Sequence, residues 1–193
     1  DFTMNYKIGD WVRVRQWDDL CQEYRKDDRG FLLTDEFGFN PKMQELCGHW
    51  GKIKDKCGNY CRISFKGVDH DWAWNDAMLE SNKPYQVGDQ VIVSSMDTLD
   101  RDFDMNMCDK STNPTFFTKS VFESIFQDPV LATIKDITHI NICAYRYHIS
   151  CKENTDLETY LFSGYEFCPA VSTSLPQVVP TLSFSDLFSD AAM

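Results

Sequence analysis

The chain contains one sequence pattern twice. Residues 6–14 read Tyr-Lys-Ile-Gly-Asp-Trp-Val-Arg-Val, and residues 85–93 read Tyr-Gln-Val-Gly-Asp-Gln-Val-Ile-Val. Later segments are echoed at offsets that grow along the chain: residues 51–55 by residues 132–136, and residues 72–75 by residues 160–163. A duplicated unit of about 80 residues predicts two related modules, and the growing offset places small insertions in loops of the second copy.

Each copy has the hydrophobic pattern of short strands. Apolar residues alternate with polar ones after a Gly-Asp turn, which is typical of a half-buried strand. Five short strands and one or two helical turns per copy predict a mainly β protein built from two tandem SH3-like small barrels. We expect a first barrel at residues 5–81, a divergent second barrel at residues 84–168 and a C-terminal docking tail at residues 169–193.

Large aromatic rings recur at equivalent positions near the end of each copy. Trp72 and Trp74 in the first copy correspond to Tyr160 and Phe162 in the second. Rings kept in both copies are typical of a hydrophobic core rather than of a ligand site, so we expect all four to be core residues.

The motif Gly-Asp-x-Val-x-Val at residues 9–14, with an Ile-rich central strand and Trp-x-Trp at residues 72–74, resembles the Mind bomb-type repeat module. The chain resembles still more closely uncharacterised bacterial and phage proteins that share Trp-Asp-Asp-Leu, Met-Gln-Glu-Leu-Cys-Gly and Trp-Ala-Trp-Asn-Asp-Ala-Met-Leu. The resemblance covers residues 6–80 well and residues 85–168 loosely. It implies a non-enzymatic recognition module, carried by a phage or mobile element.

The net charge of −11 is concentrated in the second half of the chain. Residues 1–84 contain 13 Lys and Arg against 15 Asp and Glu, whereas residues 85–193 contain 6 against 15. An acidic surface repels nucleic acid and anionic membranes. We therefore expect a protein partner with a basic surface, and no direct contact with nucleic acid or membrane; the alternative is that the acidic charge only keeps the protein soluble.

Composition predicts a globular protein of the cytoplasm. Hydrophobic residues make up 42% of the chain and aromatic residues 14%, which favours packed modules over disorder. No apolar run approaches the ~18 residues of a membrane-spanning helix, and no signal peptide opens the sequence. If the chain is phage encoded, the expected location is the host cytoplasm.

A metal-binding or enzymatic protein is the competing class. Cys47, His49, Cys57 and Cys61 are the metal candidates, but their spacing lacks a second Cys pair and is not repeated in the other copy. Residues 100–106 alternate oxygen ligands like a calcium loop, without its central Gly or closing Glu, and are expected to form a solvated acidic loop. We predict free thiols and no cofactor.

Catalytic motifs are weak throughout. None of the four histidines lies in a nucleophile motif such as Gly-x-Ser-x-Gly. The sequence Asp69-His70-Asp71 offers a base with flanking carboxylates, but no nucleophile or metal motif accompanies it. We predict that the chain is not an enzyme.

The first strand carries the strongest candidate for a partner-binding centre. Alternation places Trp11, Arg13 and Arg15 on the face opposite the apolar positions, and the second copy does not share them. A Trp beside two Arg is a composition typical of interface hot spots. The alternative is that this face packs on the second module or on a long loop, with Arg stacked on Trp.

The tail carries a second candidate. Phe184, Leu187 and Phe188 recur at helical spacing, as in a docking peptide that lays one apolar face into a groove. Such a tail would also permit a homodimer. Together these patterns predict a non-enzymatic protein-binding adaptor or inhibitor, directed at a basic-surfaced protein such as a host defence protein.

Overall fold

The computed structural model describes residues 6–33, 38–69, 71–80, 84–125, 128–141 and 144–170. These residues form a mainly β protein, with ten strands in three sheets and a few short helices. Within the same ranges, every helix is too short or too polar to cross a membrane. The predicted mainly β class is confirmed.

The chain divides into two compact units. The first unit comprises Asp1–Lys83 with Asp97–Ser120, and the second comprises Pro84–Met96 with Val121–Met193. Residues 97–120, which the repeat assigns to the second copy, therefore pack in the first unit. This division follows from contacts that the repeat pattern does not encode.

The first unit begins with a sheet in the order β1-β5-β6 and a smaller sheet in the order β2-β3-β4. Its elements are β1 (Trp11–Arg13), α1 (Trp17–Glu23), β2 (Arg25–Lys26), β3 (Leu32–Leu33), β4 (Gly38–Phe39), 3₁₀ helix η1 (Pro41–Leu46), β5 (Trp50–Cys57), β6 (Tyr60–Ser64) and 3₁₀ helix η2 (Asp76–Met78).

Trp74 is at the centre of the first unit's core and is fully buried. Its ring meets Phe39 and Phe65 in edge-on contacts, with centroid separations of 5.8 and 5.5 Å. Alternate residues of β1 and β5, such as Val12 and Ile53, face the same core. Because successive side chains of a strand point to opposite faces, the alternating apolar residues of these strands lie on one face and form one apolar layer.

The second unit contains one antiparallel sheet in the order β10-β7-β8-β9. Its strands and 3₁₀ helices are β7 (Gln90–Val93), β8 (Val130–Asn141), β9 (Ala144–Ser150), η3 (Thr155–Thr159), η4 (Gly164–Glu166) and β10 (Phe167–Pro169). The remaining helices, α2 (Met96–Asp102) and α3 (Lys119–Ile125), contain the points at which the chain divides between units.

The two copies share one strand register. Val12 pairs with Gly51 in the first unit, and Val91 pairs with Ala132 in the second. These are the positions that the sequence repeat makes equivalent. The duplication is therefore visible in backbone pairing as well as in the sequence.

The Gly-Asp turns are equivalent as well. Gly9 donates its amide to Ile53 at 2.8 Å, and Gly88 donates to Ile134 at 2.9 Å. Both glycines adopt positive φ, at 95° and 96°, which a side chain would strain. Glycine is required at the entrance of the first strand in each copy.

The burial of the four recurring aromatic rings agrees with the prediction in part. Trp74 and Phe162 are fully buried, as predicted, whereas Trp72 is only partly buried. The prediction is wrong for Tyr160, whose side chain is 38% exposed. Tyr160 directly follows η3 at the surface, and the repeat gives its position but not its environment.

Candidate partner-binding surfaces

The outer face of β1 is covered. Trp11 is half-buried, and its ring meets Phe103 edge-on with centroids 5.0 Å apart and an interplanar angle of 74°. The ammonium of Lys52 lies 6.0 Å from the Trp11 ring centroid. Because Phe103 belongs to the long loop region of the second copy, the alternative that this face packs on a loop describes the structure.

Arg13 corrects one expectation. Its side chain is 4% exposed, so Arg13 does not have the open position that a partner-binding centre requires, and the packed alternative describes it. Arg13 Nε donates to Glu80 Oε2 at 2.5 Å, and its guanidinium lies 4.6 Å from the Trp50 ring centroid. Strand alternation gives the face on which a residue lies, but not which segment covers that face.

In the Arg13–Glu80 ion pair, burial changes the pKa of the carboxyl group. Desolvation raises the pKa of the Glu80 carboxyl, and the Arg13 guanidinium opposes the shift. Tyr6 donates its hydroxyl to the Glu80 backbone carbonyl, and burial raises the pKa of Tyr6 to about 12. Glu80 therefore ties the end of the first copy to both its opening segment and β1.

Arg15 forms hydrogen bonds with groups of α1 and η2. Its guanidinium donates to Asp19 at 2.8 Å, to Glu23 at 2.5 Å and to the Ala77 carbonyl at 2.9 Å. Burial alone would lower the pKa of Arg15, but the hydrogen bonds and charges of Asp19 and Glu23 together outweigh it and raise that pKa above its usual range. A partner-binding role for Trp11, Arg13 and Arg15 stays a prediction, and all three have intramolecular contacts.

Asp102 fixes the segment that covers β1. Its Oδ2 accepts from the Trp50 amide at 3.2 Å, and its Oδ1 lies 3.3 Å from His49 Nδ1. Arg101 donates to the same carboxylate at 2.8 Å and to the Gly48 carbonyl at 3.1 Å. Burial and the nearby Arg101 lower the pKa of His49, whereas Asp102 opposes that shift.

Two lysines of the first copy donate further hydrogen bonds to the segment that covers β1. Lys66 Nζ donates to the backbone carbonyls of Asp100 at 2.5 Å and Phe103 at 3.0 Å. Lys52 Nζ donates to the Ser111 carbonyl at 3.0 Å. The covering segment is thus hydrogen-bonded as well as packed.

Residues 100–106 do not form the expected solvated loop throughout. Asp102 is 3% exposed and paired, so that part of the expectation is wrong. Asp100 forms longer ion pairs, at 3.7 Å to Lys66 and 3.6 Å to Lys119. Asp100 and Asp102 of this acidic segment therefore form ion pairs with basic side chains of the first unit.

Residues 105–119 form a closed surface loop, called here the Ω-loop. Lys119 donates its amide to the Met105 carbonyl at 2.6 Å, which joins the two ends. Asn113 is 2% exposed and donates to the carbonyls of Met107 and Phe117 at 2.9 and 3.3 Å. Loops of this kind are packed by their own side chains and are frequently functional.

Thr115 completes the internal bonding of the Ω-loop. Its hydroxyl is 2.6 Å from Asn113 Oδ1 and 2.8 Å from the Phe117 carbonyl. Lys110 Nζ donates to the Thr115 carbonyl at 2.5 Å and lies 5.6 Å from the Phe116 ring centroid. The sequence gives no periodic signal for this network, since it depends on how one loop folds on itself.

A cavity of about 140 Å³ opens on the Ω-loop. Its lining includes the side chains of Met107, Cys108, Lys110, Phe116 and Phe117. Met107 is 47% exposed, and Cys108 is exposed as well. The cavity is mainly apolar, with one cation beside it.

The metal candidates are not brought together. Among the described residues, no group of three or more His, Cys, Asp or Glu side chains could hold a metal ion. Cys57 is exposed, whereas Cys61 is buried in the core and Cys47 is partly buried against it. Burial raises the pKa of both Cys47 and Cys61 to about 12.

An acidic surface lies on η3 of the second unit and on the residues beside it. We name it the η3 surface: Glu153, Asp156, Glu158 and Tyr160. Glu153 and Asp156 are exposed, Glu158 is half-buried, and none of the three carboxylates has an ion-pair partner in the part of the chain that the structure describes. Buried Leu157 anchors the helix to the unit.

Several sequence candidates lie outside the described residues. These are His70 and the three apolar tail residues Phe184, Leu187 and Phe188. The docking role of the tail therefore stays a prediction.

Comparisons of the chain with protein-family models, with curated proteins and with solved structures give no match.

Proposed function

We propose that the chain is a non-enzymatic protein-binding adaptor or inhibitor, and that its η3 surface meets a basic surface of the partner. The observation that carries this proposal is the group of carboxylates on and beside η3 that have no ion-pair partner among the described residues. In the first unit, five carboxylates are instead bound to Arg13, Arg15 and Arg62, and the exposed acids without such a pair are scattered along the sequence.

Charge and ring area favour recognition of a protein. Glu153, Asp156 and Glu158 combine like charges within one short segment, which steers a basic partner toward it. Tyr160 adds a partly exposed ring, and Tyr is enriched at protein interfaces. A partner surface rich in Lys and Arg, such as the groove of a nucleic-acid-binding host defence protein, has the complementary charge.

The scaffold proposed for this surface is a pair of SH3-like small barrels. The shared register of Val12 with Gly51 and of Val91 with Ala132 supports two copies of one fold. Small barrels of this kind carry many functions on variable loops, so the proposed function depends on the surface and not on the fold.

Absence of catalysis is part of the same proposal. His49 is half-buried and directed at Asp102, which in turn accepts from the Trp50 amide. This arrangement joins two chain segments, and no nucleophile motif accompanies it. The role we assign to the pair is structural.

The proposal can be tested by comparing three forms of the purified chain in quantitative pull-downs from the native host. The first form is unchanged, and the second carries Glu153→Gln, Asp156→Asn and Glu158→Gln. The third is a matched control with Asp28→Asn, Glu45→Gln and Asp69→Asn, which removes the same charge from exposed sites of the first unit.

We expect a basic protein that is retained by the unchanged chain and by the control, and lost from the η3 variant. Its retention should weaken as salt is raised, because exposed charges are screened. Equal retention by all three forms would show that the η3 surface is not the contact. Failure of the unchanged chain to retain any protein would overturn the proposed function.

A further inference from the structure

The cavity on the Ω-loop has the size of one aromatic ring. An apolar protein cavity of about 150 Å³ binds benzene, and the cavity here measures about 140 Å³. Phe116, Phe117 and Met107 supply apolar and polarizable walls, of the kind that favour ring contacts. A single phenyl side chain is therefore a suitable occupant.

The cavity is also preorganised. Asn113 and Thr115, both almost fully buried, hold the carbonyls of Met107 and Phe117 by hydrogen bonds. A rigid site loses less conformational entropy when it binds a ligand than a mobile one does. The closed Ω-loop thus presents a formed recess and not a surface that must first be ordered.

A cation beside the cavity selects among aromatic ligands. Lys110 is exposed and lies over Phe116, with its ammonium held at the Thr115 carbonyl. Lys52 reaches the same loop through the Ser111 carbonyl. A phenyl group followed closely by a carboxylate would match both features, the ring in the recess and the negative charge toward the lysines.

The chain itself contains that combination twice. Phe184-Ser-Asp186 and Phe188-Ser-Asp190 each place a carboxylate two residues after a phenyl ring. The described residues end at Ala170, and 13 residues lie between Ala170 and Phe184. A segment of that length can extend for up to about 45 Å, which is enough to reach another molecule.

We propose that the Ω-loop cavity receives a phenyl ring, Phe184 or Phe188, from a second copy of this chain. Each chain carries this cavity and a tail segment with both Phe-Ser-Asp sequences, so two copies can exchange segments reciprocally. The inference goes beyond the proposed function, because it uses neither the η3 surface nor an external partner.

Cys108 provides a direct readout, since its side chain lines the cavity. The purified full chain is treated briefly with iodoacetamide, and the alkylation rate of each cysteine is read by mass spectrometry. Cys21 and Cys57 are exposed and distant in sequence from the Ω-loop, so they are internal references. The series covers about 5 µM to about 1 mM protein, the range in which weak docking is populated.

We expect alkylation of Cys108 to slow by about threefold or more across the series, as the cavity fills by mass action. The rates at Cys21 and Cys57 should stay constant. Sedimentation equilibrium on the same samples should show a monomer–dimer equilibrium with the same midpoint.

Variants identify the occupant. Phe184→Ala with Phe188→Ala should abolish both the protection and the dimer, and Asp186→Asn with Asp190→Asn should weaken both. Val178→Ala with Val179→Ala is the matched control, which removes apolar groups from the same segment and should change neither measurement. A synthetic peptide of residues 182–190 should restore protection to the double Phe variant.

Three outcomes would overturn the inference. A Cys108 rate that is constant with concentration, but is raised by the double Phe variant at every concentration, would mean docking within one chain. Protection that grows with concentration and survives the double Phe variant would mean another occupant. A Cys108 rate that neither concentration nor the double Phe variant changes would mean an empty cavity. None of these outcomes bears on the pull-down test of the η3 surface, so the two proposals can fail separately.

Discussion

Trp11 on β1 packs edge-on against Phe103, a residue 92 positions later in the chain, with ring centroids 5.0 Å apart. The two rings join the first strand of the first copy to a segment that the sequence assigns to the second copy. Of the two alternatives that the sequence left open for the outer face of β1, the structure therefore shows packing on a loop of the first unit, with Trp11 half-buried.

This contact should be measurable as a coupling energy. Trp11→Ala and Phe103→Ala should each lower the free energy of unfolding by at least about 1 kcal/mol, and the double-mutant cycle should give a coupling of about 0.5–1.5 kcal/mol. All five tryptophans lie in the first unit, so tryptophan fluorescence in urea reports on it; for Trp11→Ala the other four remain. Additive effects would mean that the two rings do not interact in solution.

The buried ion pair predicts a contrast between neighbouring arginines. Arg13→Ala would leave the Glu80 carboxylate, which is 22% exposed, without its partner in a largely desolvated position, and should cost about 3 kcal/mol. Arg15→Ala breaks pairs whose carboxylates are about half exposed, and it should cost about 1 kcal/mol or less. Urea unfolding of both variants checks the difference; equal costs would contradict the burial of Arg13.

The duplicated core predicts equivalent losses in the two units. Trp74→Ala and Phe162→Ala each remove a fully buried ring and should cost about 3–5 kcal/mol through the cavity left behind. Tyr160→Ala removes a partly exposed ring, so the cost should be much smaller. Hydrogen exchange, read separately in β5–β6 and β8–β9, assigns each loss to its unit.

Alkaline pH should destabilise the first unit. Burial raises the pKa of Cys47 and Cys61 from 9.0 to about 12, and that of Tyr6 from 10.0 to about 12. Between the ordinary and the raised pKa, the folded state binds protons that the unfolded state has lost, so stability falls as pH rises. This stability is fully present below pH 9 and is lost by about pH 12.

Urea midpoints measured from pH 8 upward should therefore fall steadily. A Cys61→Ala variant should be less stable at pH 8, because its core contact is lost, but its midpoint should fall less steeply with pH. Parallel slopes for the two proteins would contradict the assignment of the effect to this buried thiol.

The hydrogen bonds of Asn113 should set the rigidity of the Ω-loop. Asn113→Ala leaves the carbonyls of Met107 and Phe117 without this donor and should cost about 1–3 kcal/mol. The loss should be local, with faster proteolysis within residues 105–119. Ser111→Ala is a suitable control, since Ser111 is exposed and bonds to exposed Asp109; similar cleavage of the two variants would contradict a role for Asn113 in closing the loop.

The sequence determined the local structure of each copy. Alternating Val12 and Val14 predicted a strand with one buried face, and the Gly-Asp repeat predicted a tight turn before that strand, where the structure has Gly9 and Gly88 at positive φ. These features depend on the backbone and on neighbours a few residues apart. A single sequence therefore contains enough information to predict them, and the comparison of two copies strengthens it.

Only the tertiary structure decided what covers those strands. That Arg13 is buried against Glu80, that Phe103 covers Trp11 and that Asn113 closes the Ω-loop depend on where distant segments pass. Alternation separates the two faces of a strand but does not say whether the second face meets water or protein. Contacts between residues far apart in the chain arise from packing in three dimensions, and no local period records them.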